Sequence, residues 1–288
     1  MSEVAFIRAV QSIANPVLDA FFIAVTMLGS EEFYTIAIAV VYWCVDRDLG
    51  YEIGLIVMLS FWLNLLVKGV FHTSRPSPEE VRVLYPESGE GYAFPSGHTQ
   101  SSLVFWVGLA VAMKSRQVIA LSCILVPLVA LSRLYLGLHW PVDVIGGALF
   151  GALVIFLWLR ARATVKRVVR MAPEWLRLIL GLALPALALF PSPAEPNLRI
   201  AGFLSGFFTG TLMERRWVGF SAAGPLASQF KKLMTGGIIV TATRLGLKLL
   251  LPVTGAATYF RYLAIGVMGT FAMPWLFVRL GFAERERA

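Results

Sequence analysis

The chain has 288 residues, of which 58% are hydrophobic and 15% are charged, and its mean hydropathy is +0.74. Soluble domains average about 45–50% apolar and about 25% charged residues, so this composition excludes a soluble globular protein and predicts a polytopic membrane protein. The formal net charge of +8 does not indicate nucleic-acid binding, because most Lys and Arg residues lie in short clusters between apolar segments, where they orient helices and meet anionic lipid headgroups.

A membrane-spanning helix needs about 20 mostly apolar residues. The apolar segments that predict spans are, in chain order, 17–28, 33–45, 51–71, 98–113, 118–138, 142–159, 175–190, 200–213, 233–253 and 262–280. An interfacial helix over residues 3–13 is expected before the first of them. No cleavage site of a signal peptide follows the first span, so we expect it to be retained.

These segments predict an all-α fold, a polytopic membrane helix bundle. The basic stretch 160–170 divides it into a six-helix core, residues 1–165, and a C-terminal extension of about four transmembrane helices, residues 166–288, whose role the sequence does not indicate. Cys44 and Cys123 lie inside apolar segments, which favours buried small side chains over a disulfide or a zinc site.

The distribution of charge predicts the orientation. With ten spans, 17 of the 25 Lys and Arg residues lie on the side of the N-terminus and six on the other side. By the positive-inside rule the richer side is cytoplasmic, so both termini are expected inside, in the plasma or inner membrane. The loops around residues 72–97 and 133–141 then lie on the extracytoplasmic face.

Three short segments hold all three histidines of the chain: 68–76 (KGVFHTSRP), 94–98 (FPSGH) and 132–143 (SRLYLGLHWPVD). Fixed cations that grip a phosphate, an imidazole that attacks it, a second that protonates the leaving group and a carboxylate that orients the attacker suffice for phosphoryl transfer. The segments therefore predict a phosphoryl-transfer site that needs no metal and no cofactor. Because they lie among apolar runs, the expected substrate is a phosphate carried on a lipid.

Each segment has a plainer alternative when it is taken alone. Lys68 near the end of a span is also explained by snorkelling to the interface. Ser96 and Gly97 before His98 suit an ordinary turn and helix cap, although a helix N-terminus also favours a bound phosphate. His139 and Asp143 could form a capping interaction, whereas an Asp bound to one imidazole nitrogen would leave the other free to attack phosphorus.

The three segments together read KX6RP, PSGH and SRX5HX3D, in that order, and this pattern resembles the signature of the type 2 phosphatidic acid phosphatase superfamily, in its membrane lipid phosphate phosphatase branch. The resemblance covers about residues 15–160. It implies that His139 is the nucleophile that forms a phosphohistidine, that Asp143 orients it and that His98 is the general acid. The phosphate ligands that it implies are Lys68, Arg75, Ser96, Gly97 and Arg133.

Three further residues are possible substrate contacts. His72 lies between Lys68 and Arg75, where a plain interfacial role is the alternative. Arg244 and Lys248 are four residues apart in an apolar span, and charges inside a membrane are candidates for function. Residues 85–92 (YPESGEGY) form a loop that could be a mobile rim over the site or simply a solvated loop.

The leading hypothesis is a lipid phosphatase that hydrolyses a phosphomonoester or pyrophosphate, with undecaprenyl pyrophosphate as the first candidate if the source is bacterial. A phosphotransferase that passes the phosphoryl group to another lipid is the alternative, because the phosphoenzyme is common to both. A transporter with a vestigial site is a third hypothesis, and it predicts that His139→Ala leaves function intact. The lipid substrate and the bilayer are the only partners expected.

Overall fold

The computed structural model describes residues 2–189 and 194–286. It confirms the predicted all-α fold, since the only extended pairing in this part of the chain is an isolated bridge between Phe220 and Arg285. The α-helices are α1 (Glu3–Gln11), α2 (Pro16–Met27), α3 (Glu31–Val40), α4 (Arg47–Phe71), α5 (Gly97–Met113), α6 (Arg116–Tyr135), α7 (Pro141–Met171), α8 (Glu174–Ala183), α9 (Glu195–Trp217), α10 (Leu226–Leu250), α11 (Gly255–Val267) and α12 (Met273–Arg279). Short π-helical segments extend α3 and join α11 to α12.

Fewer helices can span a membrane than the ten predicted. Within the described residues, five are long and apolar enough, namely α4, α6, α7, α10 and the continuous stretch Gly255–Arg279, or six if the bent pair α1–α2 is one span. The predicted span over residues 17–28 is too short to cross the membrane as a single helix. The 12 residues of α2 extend only about 18 Å at 1.5 Å per residue, well below the thickness of about 30 Å of the hydrocarbon core.

The helix ends follow local sequence signals. Ser96 and Ser115 stand before α5 and α6, and each hydroxyl accepts a hydrogen bond from a backbone N–H of the first turn. Pro141 is the first residue of α7, where its missing N–H and fixed φ cost nothing. Asp143 therefore falls in the first turn of α7.

Helix α1 lies beside the loops that carry the predicted site. The guanidinium of Arg8 donates to the carbonyl of Glu80 at 2.8 Å, and the Gln11 amide donates to the carbonyl of Arg82 at 2.6 Å. The Glu3 carboxylate accepts from the N–H of Val142 at 3.1 Å. These contacts disagree with the predicted topology, in which a span over 17–28 separates residue 8 from the site, and the bend of 117° between α1 and α2 accounts for the difference.

Two compact units make up the described chain. One contains residues 2–36 and 59–161, and the other contains 37–58 and 162–286, apart from 190–193. Residues 37–58 belong to the unit that contains the C-terminal part of the chain. The division at residue 165 that the sequence predicted remains a prediction. All three motif segments lie in the first unit.

Glycines spaced four residues apart allow close helix packing in the second unit. A Cβ on Gly202 would come within 2.2 Å of the Tyr259 carbonyl oxygen, and one on Gly206 within 2.0 Å of the Leu263 carbonyl oxygen. Helices α9 and α11 therefore touch backbone to backbone along this face.

The same unit buries Glu214, which accepts from Arg47 at 3.2 Å and from the N–H of Phe220 at 2.9 Å.

Candidate active site

The first motif segment crosses the end of α4. The helix stops at Phe71, and His72 adopts a positive φ of 49°, so Lys68 and Arg75 do not share one helical face. Their side chains nevertheless reach the same loop, because both Lys68 and Arg75 donate to the carbonyl of Tyr92. The Lys68 ammonium also donates to the carbonyl of Ala93 at 3.4 Å. Lys68 is thus turned inward to the loop carbonyls.

Arg75 uses all five of its N–H groups. Nε donates to the Gly91 carbonyl at 2.9 Å, and Nη2 donates to the carbonyls of Glu90 at 2.9 Å and Tyr92 at 3.2 Å. Nη1 donates to the Leu138 carbonyl at 2.7 Å and lies 2.9 Å from Nε2 of His139. This one side chain therefore connects the loop before PSGH to the loop that carries the third motif.

Ser96 and Gly97 begin α5 in a closely packed environment. Ser96 is fully buried, and its hydroxyl accepts from the Thr99 N–H at 3.5 Å and the Thr99 hydroxyl at 3.1 Å, so it is the helix cap. The backbone N–H of Ser96 donates to the carbonyl of Asp143 at 2.9 Å. A Cβ on Gly147 of α7 would come within 2.5 Å of the Ser96 carbonyl oxygen. This packing fixes PSGH against the first turns of α7.

A buried amide pair supports the same turn from α4. The Asn64 side chain donates to the Pro95 carbonyl at 3.2 Å and to Oε1 of Gln100 at 2.9 Å, and Gln100 in turn donates to the carbonyl of Ser60 at 2.9 Å. A Cβ on Gly97 would lie 3.2 Å from the Asn64 amide oxygen. Nothing in the motif spacing predicts Asn64 or Gln100, although polar residues inside apolar segments are a signal for such sites.

His139 and Asp143 are both buried, with exposed fractions of 1% and 0%. Nδ1 of His139 lies 3.3 Å from Oδ2 of Asp143, and the same oxygen accepts from the Trp140 N–H at 2.8 Å. Arginine has only donors, so the Arg75 contact makes Nε2 of His139 the acceptor and assigns the proton to Nδ1. Asp143 therefore holds the imidazole with its Nε2 lone pair directed at a cation.

The electrostatic environment keeps this imidazole neutral. Burial, followed by the positive charges of Arg133, Arg75 and Lys68, lowers the pKa of His139 well below its usual value of 6.5. Burial also lowers the pKa of Arg75 to about 10, with the Asp143 carboxylate acting in the opposite direction. At neutral pH the site thus contains a neutral histidine beside a charged guanidinium.

Arg133 and His98 meet at Ser88, in a short 3₁₀ turn (Pro86–Ser88). Arg133 is fully buried, and its Nη1 donates to the Ser88 hydroxyl at 2.7 Å and the Thr26 hydroxyl at 2.6 Å. Its Nη2 donates to the Ser88 carbonyl at 2.7 Å. The Ser88 hydroxyl also lies 3.3 Å from Nε2 of His98. Ser88 was missed by sequence reasoning, which singled out its loop but no residue in it.

The three possible substrate contacts are exposed. His72 is exposed, and its ring packs edge-on against Tyr92 with centroids 4.6 Å apart. Arg244 and Lys248 are exposed on α10, in the second unit. A substrate contact for these three residues remains a prediction. The chemistry-bearing residues of the three motifs, by contrast, converge on one small volume of the first unit.

Among the described residues, no group of three or more His, Cys, Asp or Glu side chains is placed to hold a metal ion. The first unit instead brings together two imidazoles, a buried carboxylate and three cations, which are groups that acid–base and electrostatic catalysis can use. The chain is thus an all-helical protein with apolar spans, and its three motif segments lie in one compact unit.

The comparison with protein families gives the same class. Residues 50–167 match the PAP2 superfamily, and residues 198–285 match the family described as PAP2 superfamily phosphatase, transmembrane extension. The chain therefore contains a PAP2 superfamily domain followed by the transmembrane extension of this superfamily, and the resemblance to the superfamily drawn from its three motifs is confirmed.

Curated relatives cover several lipid phosphates. The chain is 28% identical to lipid phosphate phosphatase delta of Arabidopsis thaliana, over 67% of this chain and 50% of that protein. It is 32% identical to a probable sphingosine-1-phosphate phosphatase of Dictyostelium discoideum, over 50% of this chain and 39% of that protein. It is 28% identical to a putative undecaprenyl-diphosphatase of Escherichia coli, over 48% of this chain and 72% of that protein. The match thus spans half or less of the length of the first two relatives.

Proposed function

We propose that the protein hydrolyses a lipid phosphomonoester or pyrophosphate in two steps, through a phosphohistidine on His139. The observation that carries this proposal is the geometry of His139, whose Nδ1 faces Asp143 at 3.3 Å while its Nε2 faces Arg75 at 2.9 Å. An imidazole that is oriented by a carboxylate and presents its free nitrogen to a phosphate-binding cation is arranged as a nucleophile.

In the first step the Nε2 lone pair forms a bond to phosphorus, and the bond from phosphorus to the lipid oxygen breaks. The leaving oxygen takes a proton from His98, and the Asp143 carboxylate stabilises the positive charge that develops on the His139 ring. Arg75, Arg133 and Lys68, together with Ser96 and the Gly97 amide, would hold the equatorial oxygens and neutralise the charge of the transition state.

In the second step a water molecule attacks phosphorus while His98, now neutral, takes its proton. The bond between phosphorus and Nε2 breaks, which releases inorganic phosphate and restores His139. The same intermediate would serve transfer to a lipid acceptor, so hydrolysis and transfer differ only in what attacks the phosphohistidine.

We propose undecaprenyl pyrophosphate as the first substrate to test, and an extracytoplasmic location for the site. The location is supported by the charge distribution in the ten-span assignment, in which Lys and Arg concentrate on the opposite side of the membrane even when Arg8 is moved to the side of the site. The names of the relatives make sphingosine 1-phosphate and other lipid phosphates the necessary competitors.

The test is phosphate release by the full-length protein in detergent micelles, measured with undecaprenyl pyrophosphate, sphingosine 1-phosphate and phosphatidate. Wild-type protein should release phosphate from at least one lipid without an added acceptor. When the reaction with a ³²P-labelled substrate is stopped in base, the protein should retain the label in an acid-labile form, as a phosphohistidine does. His139→Ala should lose both signals.

The matched control is Glu79→Gln, because Glu79 is an exposed carboxylate shortly after the first motif segment and the proposed mechanism does not use it. Equal turnover by His139→Ala and the wild type would refute the catalytic assignment. Release that depends on an added lipid acceptor would replace hydrolysis by transfer.

A further inference from the structure

The residues after Tyr85 place backbone oxygens on the cations of the site. We use the name 86–92 loop for residues 86–92. Its carbonyls at Glu90, Gly91 and Tyr92 accept from Arg75 at 2.9, 2.9 and 3.2 Å. The Ser88 carbonyl accepts from Nη2 of Arg133 at 2.7 Å, and Lys68 donates to the Tyr92 carbonyl. The loop therefore presents oxygen atoms to each of the three cations that the proposed mechanism assigns to phosphate.

Described contacts use every N–H of Arg75 and three of the five N–H groups of Arg133, whose buried Nε has no hydrogen-bond partner among the described residues. Arg75 has no N–H left, and on Arg133 both hydrogens of Nη1 are shared between Thr26 and Ser88. A phosphate oxygen can accept from the same N–H groups only after the loop oxygens leave, because one N–H forms one strong hydrogen bond at a time. The loop and the phosphate are thus alternative partners of the N–H groups that the loop oxygens occupy, which on Arg133 are those of Nη1 and Nη2 that face Ser88.

Within the 86–92 loop, Ser88 makes the contacts with Arg133 and with His98. It gives Arg133 two oxygens, the hydroxyl and the carbonyl, each at 2.7 Å, and its hydroxyl also lies 3.3 Å from Nε2 of His98. It thereby touches one phosphate ligand and the general acid of the proposed mechanism at once. The side chain is half-buried and belongs to a turn of only three residues, which a small local movement can displace.

We propose that Ser88 competes with the substrate phosphate for Arg133 and His98, and that substrate binding displaces the 86–92 loop. Ser88 would then set the affinity of the site for phosphate. The proposal rests on the proposed function for its biological meaning, but it concerns the binding of phosphate itself and can be tested without turnover.

The experiment is calorimetric titration of inorganic phosphate into the full-length protein in detergent micelles, for the wild type and for Ser88→Ala. Removal of the hydroxyl takes one hydrogen bond to a charged group from the loop-bound arrangement, and such bonds change an equilibrium by about tenfold. The Kd for phosphate should therefore fall by about tenfold in Ser88→Ala. Ser88→Thr keeps the hydroxyl and should bind phosphate like the wild type.

The matched control is Ser77→Ala, in the same interhelical segment, where only backbone atoms of the serine have described hydrogen bonds. It should leave the Kd unchanged. Equal or weaker binding of phosphate by Ser88→Ala would overturn the proposal, and so would an equal gain in Ser77→Ala, because the effect would then come from general loosening of the segment. If Ser88→Ala unfolds, Ser88→Cys replaces it, and its weaker acceptor should give a smaller gain in the same direction.

Hydrogen exchange of the backbone N–H groups in the turn tests displacement by phosphate, because a purely structural role of Ser88 would leave this exchange the same with and without phosphate. The N–H groups of Ser88 and Gly89 donate within the turn at 3.1 and 2.8 Å, so displacement of the loop by phosphate should speed their exchange while the rest of the unit is unaffected or protected. Slower or unchanged exchange there would refute displacement. If no lipid in the panel is hydrolysed, the proposed function fails, whereas the titration and the exchange still decide the role of Ser88.

Discussion

Substitution of Asp143 by Asn removes one negative charge beside the proposed nucleophile. In the structure Oδ2 lies 3.3 Å from Nδ1 of His139, and both side chains are almost fully buried. When Nε2 forms its bond to phosphorus the ring becomes positive. Coulomb's law at that distance, with an effective dielectric constant of about 20, gives about 5 kcal/mol of stabilisation. Since 1.36 kcal/mol is tenfold in rate, kcat should fall by about 10³- to 10⁴-fold.

The assay is single-turnover and steady-state phosphate release in detergent micelles, with thermal unfolding as a check on the fold. Glu79→Gln is the matched control, because it neutralises an exposed carboxylate in the segment that precedes the site. It should change kcat by less than about twofold. If Asp143→Asn keeps kcat within tenfold of the wild type while Glu79→Gln behaves as expected, the orientation of His139 by Asp143 is not part of catalysis.

Three further predictions test packing, protonation and topology. Gly147→Ala places a Cβ within 2.5 Å of the Ser96 carbonyl oxygen, so kcat should fall at least about tenfold. The control Gly246→Ala, whose Cβ would meet no atom within 4 Å, should not change kcat. Equal kcat values for the two variants would show that this packing does not determine the rate. Burial and nearby cations lower the pKa of His139, so the unfolded chain takes up a proton at a higher pH than the folded protein. The melting temperature should therefore decrease as the pH falls below about 6.5. His139→Gln should reduce this dependence of the melting temperature on pH, and an unchanged dependence would contradict the lowered pKa. In a cysteine-free background, Glu90→Cys should react with a membrane-impermeant maleimide in intact cells, and reaction only after lysis would reverse the proposed orientation.

The fold class could be predicted because the signals are strong and local. Long apolar segments predict transmembrane helices, and Ser96, Ser115 and Pro141 mark helix starts by capping chemistry that acts within one turn. The span over residues 17–28 was less predictable. Apolar composition alone does not distinguish a short helix that crosses the membrane from one that bends beside a loop, and only the contacts of α1 with Glu80 and Arg82 distinguish them.

The sequence by itself determined the helical fold class, and it predicted the chemistry, because the spacing of Lys68, Arg75, His98, His139 and Asp143 forms a pattern whose residue types suit only a narrow range of reactions. It also determined that this chemistry is embedded among apolar helices. Only the tertiary structure decided which atoms face each other. The tautomer of His139 follows from a cation that is distant in sequence, and the contact of Ser88 with Arg133 joins residues 45 positions apart. Such contacts depend on how helices and loops pack, and packing leaves no fixed spacing in the chain.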